Sequence, residues 1–348
     1  MAGSVAARAG TEYSEVADYQ PAEPGGTVRV FQGVTREGRV IASRTPPAGA
    51  GLAPLTVELV LGDKTTPLAG PMDNRQVVAA ASGGSTIAWM QTSSTSMYEA
   101  DWEIYASTGG GPGRLLAASG QVTRGKVPRT PEYVPISTDG DTVYWTSPRV
   151  EGGRGRADIL AMAAAPGADR TPRVLVHDAK LPVAVGGELF YVRSRDVDPQ
   201  LAGPAQVRAR TLKDGRDRLV GEVPARAGDG IGAMCVSTDR LAWTSAGRDG
   251  RDVLTVTERG TRMSKTVKLN NSAGSTSLAC GDGFVAWGGG SGSGDSTQYL
   301  CRSVDSAPSR IGTAPGRAVV HAAGRYVAWW HAAEGNDLSA LKVARVRT

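Results

Sequence analysis

The chain has 348 residues, 46 of them Gly and 20 Pro, with aromatics at only 5%. Its 39 basic and 34 acidic side chains leave a formal charge of +5, but the two signs are interleaved, and the clustered cations that phosphate tracking needs are missing. No nucleic-acid partner is expected. No stretch approaches the roughly eighteen apolar residues of a membrane span, and the opening MAGSVAARAGTEYSEVADYQPAEPGG lacks the apolar run of a signal peptide. No membrane insertion is therefore expected, and the chain as written reads as soluble.

The first ten residues read as a disordered tail. TEYSEVADYQ, ahead of the breaker PAEPGG, has two readings: more of that tail, or an outer strand that joins the last repeat. TVRVFQG then opens a series of short strand-like runs punctuated by Gly, Pro and polar turns, and no long helical pattern competes with it. One unit, Ser237 to Gly260 (STDRLAWTSAGRDGRDVLTVTERG), shows the pattern plainly. Leu241, Trp243 and Ser245 alternate with Ala242 and Thr244, a polar turn follows, and Val253 to Thr257 resume the period of two.

An apolar-x-aromatic marker returns along the chain at Trp89, Trp145, Tyr191, Trp243, Trp287 and Trp329, with Ala42 in the same place in GRVIASRT. Intervals of about 40 to 55 residues fit four-stranded blades that must stack on one another to bury both faces. Seven markers predict an all-β, seven-bladed β-propeller of antiparallel blades. It occupies residues 11–348 as one domain and is closed by the N-terminal segment joining the last blade. Small residues before each marker (VVAAAS, LPVAVG, AVVHAA) suit innermost strands that converge.

STDGDTVYWTSPRVEGGRGRADILAMAA and STDRLAWTSAGRDGRDVLTVTERG resemble the TolB-type propeller repeat. In that repeat an S-x-D-G turn, an apolar-A-x-x-S strand and an acid-apolar-x-apolar strand follow in order. GGELFYVRS and GDGFVAWGGG depart from it by lacking the S-x-D turn. The resemblance runs from about residue 28 onward and implies a scaffold or recognition domain in an extracytoplasmic setting. The repeat specifies architecture and carries no activity of its own.

Catalytic chemistry most often needs a histidine base, and only His177, His321 and His331 exist. They are assigned respectively to an outer strand of the second blade, the inner strand of the seventh, and the end of that blade's second strand. Each reads more simply as structural, and three converging metal ligands are not expected of them. Asp101, Asp158, Asp252 and Asp337 recur where the third strand begins, which suits carboxylates accepting turn amides better than a calcium ring. No metal and no cofactor is expected. Cys235 and Cys280 fall in neighbouring inner strands, either as a bridge or as two small interior thiols; Cys301 is left unpaired.

The loops entering each inner strand should surround the channel mouth. They supply Arg75, Arg129, Tyr133, Lys180, Asp229 and Arg317, and the long loop GQVTRGKVPRTPEY adds Arg124 and Lys126. These eight are the candidate binding residues. The leading expectation is a non-enzymatic propeller that binds a protein or peptide through one face, with a small molecule as a further possible ligand. Two alternatives stand beside it. One is a hydrolase or lyase acting on a small polar substrate at the channel mouth, with Asp229 and Arg75 or Arg317 handling it. The other is a lectin that uses Tyr98, Trp102 and Trp330.

Overall fold

The computed structural model describes residues 12–22, 27–45, 55–72, 76–92, 101–122, 136–151, 154–169, 171–193, 205–223, 230–247, 249–272, 276–289, 294–332 and 339–347. Among them no helix is long and apolar enough to cross a membrane. The chain forms seven four-stranded antiparallel sheets, a seven-bladed β-propeller.

β1 (Tyr13–Tyr19) precedes blade 1, which runs β2 (Val28–Val34), β3 (Val40–Thr45), β4 (Leu55–Leu61) and β5 (Lys64–Met72). Blade 2 is β6 (Gln76–Gly83), β7 (Thr86–Thr92), β8 (Trp102–Thr108) and β9 (Arg114–Ala118), followed by one helical turn, α1 (Ser119–Val122). Blade 3 is β10 (Ile136–Asp139), β11 (Thr142–Glu151), β12 (Arg154–Ala163) and β13 (Arg173–Val176). Blade 4 comprises β14 (Ala179–Val185), β15 (Glu188–Arg193), β16 (Ala205–Thr211) and β17 (Asp217–Val223). Blade 5 has β18 (Ile231–Val236), β19 (Arg240–Ala246), β20 (Arg251–Glu258) and β21 (Ser264–Ser272). Blade 6 has β22 (Ser277–Gly281), β23 (Phe284–Gly289), β24 (Asp295–Cys301) and β25 (Ser309–Pro315). Blade 7 contributes β26 (Arg317–Ala323), β27 (Tyr326–Ala332) and β28 (Leu341–Val346).

The last blade takes its fourth strand from the start of the chain: β1 pairs with β28 in antiparallel register from Tyr13↔Val346 to Tyr19↔Leu341. Of the two readings of TEYSEVADYQ, the outer strand is the one realised. All seven markers lie in the second strand of their blades. That strand is covered on both sides, so its burial is continuous (seven buried residues in a row in β7), whereas the third strands β8, β16 and β20 alternate buried and half-buried residues.

Packing separates two compact units: Met1–Ala42, Val60–Thr65 and Ile231–Thr348 form one, Ser43–Leu59 and Thr66–Gly230 the other. Within the second, Trp89 stacks on its cross-strand partner Tyr105 (5.7 Å), and Trp145 meets Trp102 of the neighbouring blade edge to face at 6.3 Å. Within the first, Trp287 stacks on Tyr299 at 5.6 Å, and Tyr13 of β1 meets Trp329 at 5.8 Å. The S-x-D turns explain how blades hold one another. Asp139 accepts from the Gly187 amide (3.0 Å) and Asp239 from the Gly283 amide (3.1 Å), each in the first hairpin of the next blade. Ser137 and Ser277 accept from the inner-strand amides of Ala184 and Val320 at 2.9 and 3.0 Å. At Gly83 the turn of the next blade comes so close that a Cβ would lie 2.3 Å from the Thr138 carbonyl oxygen, so only glycine fits.

Cys235 and Cys280 form a disulfide, Cα atoms 5.4 Å apart, joining the inner strands of blades 5 and 6; Cys301 is a buried free thiol. In blade 4 the marker is Tyr191, fully buried, whose hydroxyl donates to Asp217, itself ion-paired with Arg208 at 2.7 Å. Burial, reinforced by the Asp217 carboxylate, pushes its pKa up to about 12. Below pH 10 both folded and unfolded tyrosine are neutral. Between pH 10 and about 12 only the unfolded one ionises, so stability falls over that window. Tyr191→Phe is expected to abolish this alkaline loss, at a cost near neutrality of about 1 kcal/mol for the missing hydrogen bond. Urea midpoints measured from pH 8 to 12 check it.

Candidate functional site

Three of the four recurring acids are among the described residues, and two of them accept backbone amides as expected. Asp252 is 1% exposed, and its carboxylate takes both the amide and the hydroxyl of Thr276, tying β20 to the connector before blade 6. Asp158, 6% exposed, accepts the Asp178 amide at 3.2 Å and ties β12 to the connector before blade 4. Asp101 instead accepts from the Ser119 hydroxyl at 3.3 Å, and Asp337 lies outside the described residues.

Blade 3 adds a constellation to this staple. Arg149 and Arg156 are directly paired across β11 and β12, and Asp158, opposite Ser147, is two residues further along β12, on the same face as Arg156. β13 ends at Val176, so His177 and Asp178 form the turn that delivers the chain to β14. Asp158 Oδ2 lies 3.0 Å from Arg149 Nε and 3.2 Å from His177 Nδ1. Asp178 Oδ1 accepts from the terminal guanidinium nitrogens of Arg149 (3.1 Å) and Arg156 (3.5 Å). The Asp158 side chain is 9% exposed and the His177 side chain 71%, so a nearly buried carboxylate faces Nδ1 of an imidazole that is otherwise in solvent.

The backbone here is also unusual. Among the described residues three non-glycines have positive φ; of these Asp178 (52°) lies in this turn and Leu181 (57°) just beyond it in β14. Aspartate tolerates the left-handed region; leucine does so only under constraint. Leu181 is held there by its amide donating to Thr146 Oγ1 at 3.3 Å, where the β14 register slips between Lys180 and Val183. Strain of this kind gathers at sites whose geometry matters more than local stability.

Of the other two histidines, His331 is buried, as the simpler reading has it, and His321 is half-buried on the inner strand β26. His321 stacks on Trp330 with ring centroids 5.0 Å apart, and burial brings its pKa down to about 4. His331 sits with Nε2 3.2 Å from the Ser296 carbonyl; burial lowers its pKa against the opposing pull of that carbonyl. His177 follows β13, the outermost strand of the blade marked by Trp145, so it belongs to the third blade and not, as expected, to the second.

Of the eight candidate binding residues, Arg75, Arg124, Lys126, Arg129, Tyr133 and Asp229 lie outside the described residues. Lys180 is half-buried in β14, three residues past His177, and Arg317 is exposed at the start of β26. Arg317 is not part of the Asp158 cluster. The lectin reading loses two aromatics: Trp102 is 1% exposed against Trp145, and Trp330 is 5% exposed between Phe31 and His321. Tyr98 lies outside the described residues. Among the described residues no group of three His, Cys, Asp or Glu side chains is placed to hold a metal ion.

No family model matches the chain, and no curated protein is significantly similar to it. Solved structures are similar in fold. An oligogalacturonate lyase described in complex with manganese matches with a TM-score of 0.57 at 9% identity, covering 95% of this chain and 96% of that one. A prolyl endopeptidase matches at 0.56 and 11% identity, covering 92% and 50%. A puromycin-hydrolyzing peptidase of Mycobacterium tuberculosis matches at 0.53 and 17% identity, covering 93% and 51%. The chain thus spans about half the length of these peptidases. At such identities the likeness establishes the propeller alone. The expectation of a non-enzymatic protein-binding scaffold finds no support among these three structures, which are two peptidases and a lyase.

Proposed function

We propose that this propeller serves an enzyme, a hydrolase or lyase, acting on a small polar substrate, with the reacting group at His177. The observation that carries this is the Asp158 carboxylate, nearly buried and 3.2 Å from Nδ1 of an imidazole that is 71% exposed. A carboxylate so placed favours the tautomer with the proton on Nδ1 and leaves the Nε2 lone pair to take a proton from water or from a carbon acid. In this reading His177 is the catalytic residue, Asp158 positions it, and Arg149 and Arg156 bind the polar substrate. The same general-base step begins hydrolysis, when it activates water, or elimination, when it removes a proton beside a carbonyl.

The TolB-type assignment is the finer part of this reading. It is supported by S-x-D turns whose aspartates, Asp139 and Asp239, bond the next blade. An extracytoplasmic setting is supported by the Cys235–Cys280 disulfide, since such bridges persist in oxidising compartments.

The test is turnover of two substrate sets, peptide amides with a chromogenic leaving group and oligogalacturonides, by wild type, His177→Ala and Asp158→Asn. We expect one set to be turned over and His177→Ala to lose about 10²- to 10⁴-fold in kcat. Asp158→Asn should lose less, and in kcat rather than in KM, as expected of a positioning residue. Turnover that survives His177→Ala unchanged overturns the assignment.

A further inference from the structure

Two guanidinium groups converge on one carboxylate oxygen beside the proposed base, that of Asp178, whose backbone amide is anchored separately by Asp158. Asp178 Oδ1 accepts from Arg149 at 3.1 Å and Arg156 at 3.5 Å, while the Asp178 amide donates to the buried Asp158. The three side chains are partly open to solvent: 31% for Asp178, 30% for Arg149 and 22% for Arg156. The backbone of Asp178 is thus pinned in its left-handed conformation, whereas rotation about its side-chain bonds releases the carboxylate without moving the chain.

Planar guanidinium groups match carboxylates in shape and charge better than any other side chain does. The pair is partly open to solvent, and Arg149 shares the Asp158 carboxylate with the exposed His177, which places both guanidinium groups beside the proposed base. We propose that the Asp178 carboxylate is an internal stand-in, and that the substrate carries a carboxylate which takes its place on Arg149 and Arg156. The substrate class is therefore a small organic acid or acidic sugar, with the atom to be deprotonated or attacked lying beside its carboxylate, toward His177 Nε2. The substituting acid must compete with a side chain already tethered at the site, so Asp178 also acts as a selectivity filter against weak anions.

This inference rests on the His177 site but has its own readout. The probe is succinate, with succinamide as the uncharged control, titrated calorimetrically into the full chain at constant ionic strength. Asp178→Asn, which keeps the backbone staple and removes the competing charge, is expected to bind succinate about ten-fold more tightly than wild type. Adding Arg156→Gln should abolish that gain, and Arg156→Lys should restore only part of it. Melting temperatures of all variants establish that they are folded. Equal succinate affinity in wild type, Asp178→Asn and the double variant overturns the proposal, as does equal binding of succinamide. If Asp178→Asn gains affinity while His177→Ala leaves turnover intact, the carboxylate site stands and the assignment of the base fails. If the gain is absent while His177→Ala abolishes turnover, the reverse holds.

Discussion

Trp145→Ala is expected to lower stability by about 3–5 kcal/mol, the range for emptying a fully buried indole site. Trp145 is 0% exposed, faces Ile136 on one side strand and Leu160 on the other, and meets Trp102 of the preceding blade at 6.3 Å. Its loss opens a void between two sheets, and the sheets cannot close over it because the hairpin turns of the same two blades are already in contact at Gly83 and Thr138. The edge-to-face pair itself contributes about 0.5–1.5 kcal/mol beyond area burial, so Trp145→Phe should recover part of the loss. Denaturant unfolding followed by circular dichroism measures both. A change below 1 kcal/mol for Trp145→Ala would show that the markers are not wedges between blades.

Removing the bridge by Cys235→Ala with Cys280→Ala is expected to cost about 2–4 kcal/mol, because the unfolded chain regains the freedom of a loop closed across 45 residues. The two thiols sit in a cluster with Ala242, Leu254, Val285 and Trp287, so alanine at both positions also leaves small voids where the inner strands of blades 5 and 6 meet. Reduction of the wild type should lower its melting temperature by the same route, whereas Cys301→Ala, which breaks no bridge, should cost less. An unchanged melting temperature under reducing conditions contradicts the assignment of the bridge as structural.

Much of the architecture is legible in the residues because it rests on local periodicity. The markers from Ala42 to Trp329 fix the second strand of every blade, whereas the S-x-D motif by itself does not reveal that Asp139 and Asp239 reach the neighbouring hairpin. The segment from Tyr13 to Tyr19 could be a strand or a tail until its partner, β28, is seen to lack another neighbour. The candidate site was much less legible. Arg149, Arg156 and Asp158 lie in one hairpin, but His177 and Asp178 arrive from a connector some twenty residues later, and nothing in a strand pattern says which connector folds back on which hairpin. The spacing R-x6-R-x-D followed by H-D at the next blade entry was the available signal. Trp102 and Trp330 misled for a related reason. Each sits in a strand whose outward face is covered by the adjacent blade, and coverage of that kind cannot be read from one sequence.

The most direct test of the account is the protonation pattern of the histidine rings, read by long-range proton–nitrogen NMR on the uniformly labelled chain at pH 8. His177 is predicted to carry its proton on Nδ1, and Asp158→Asn is predicted to shift it toward Nε2, while the His321 and His331 signals stay where they are. A His177 ring protonated on Nε2 in the wild type, with no response to Asp158→Asn, would contradict it.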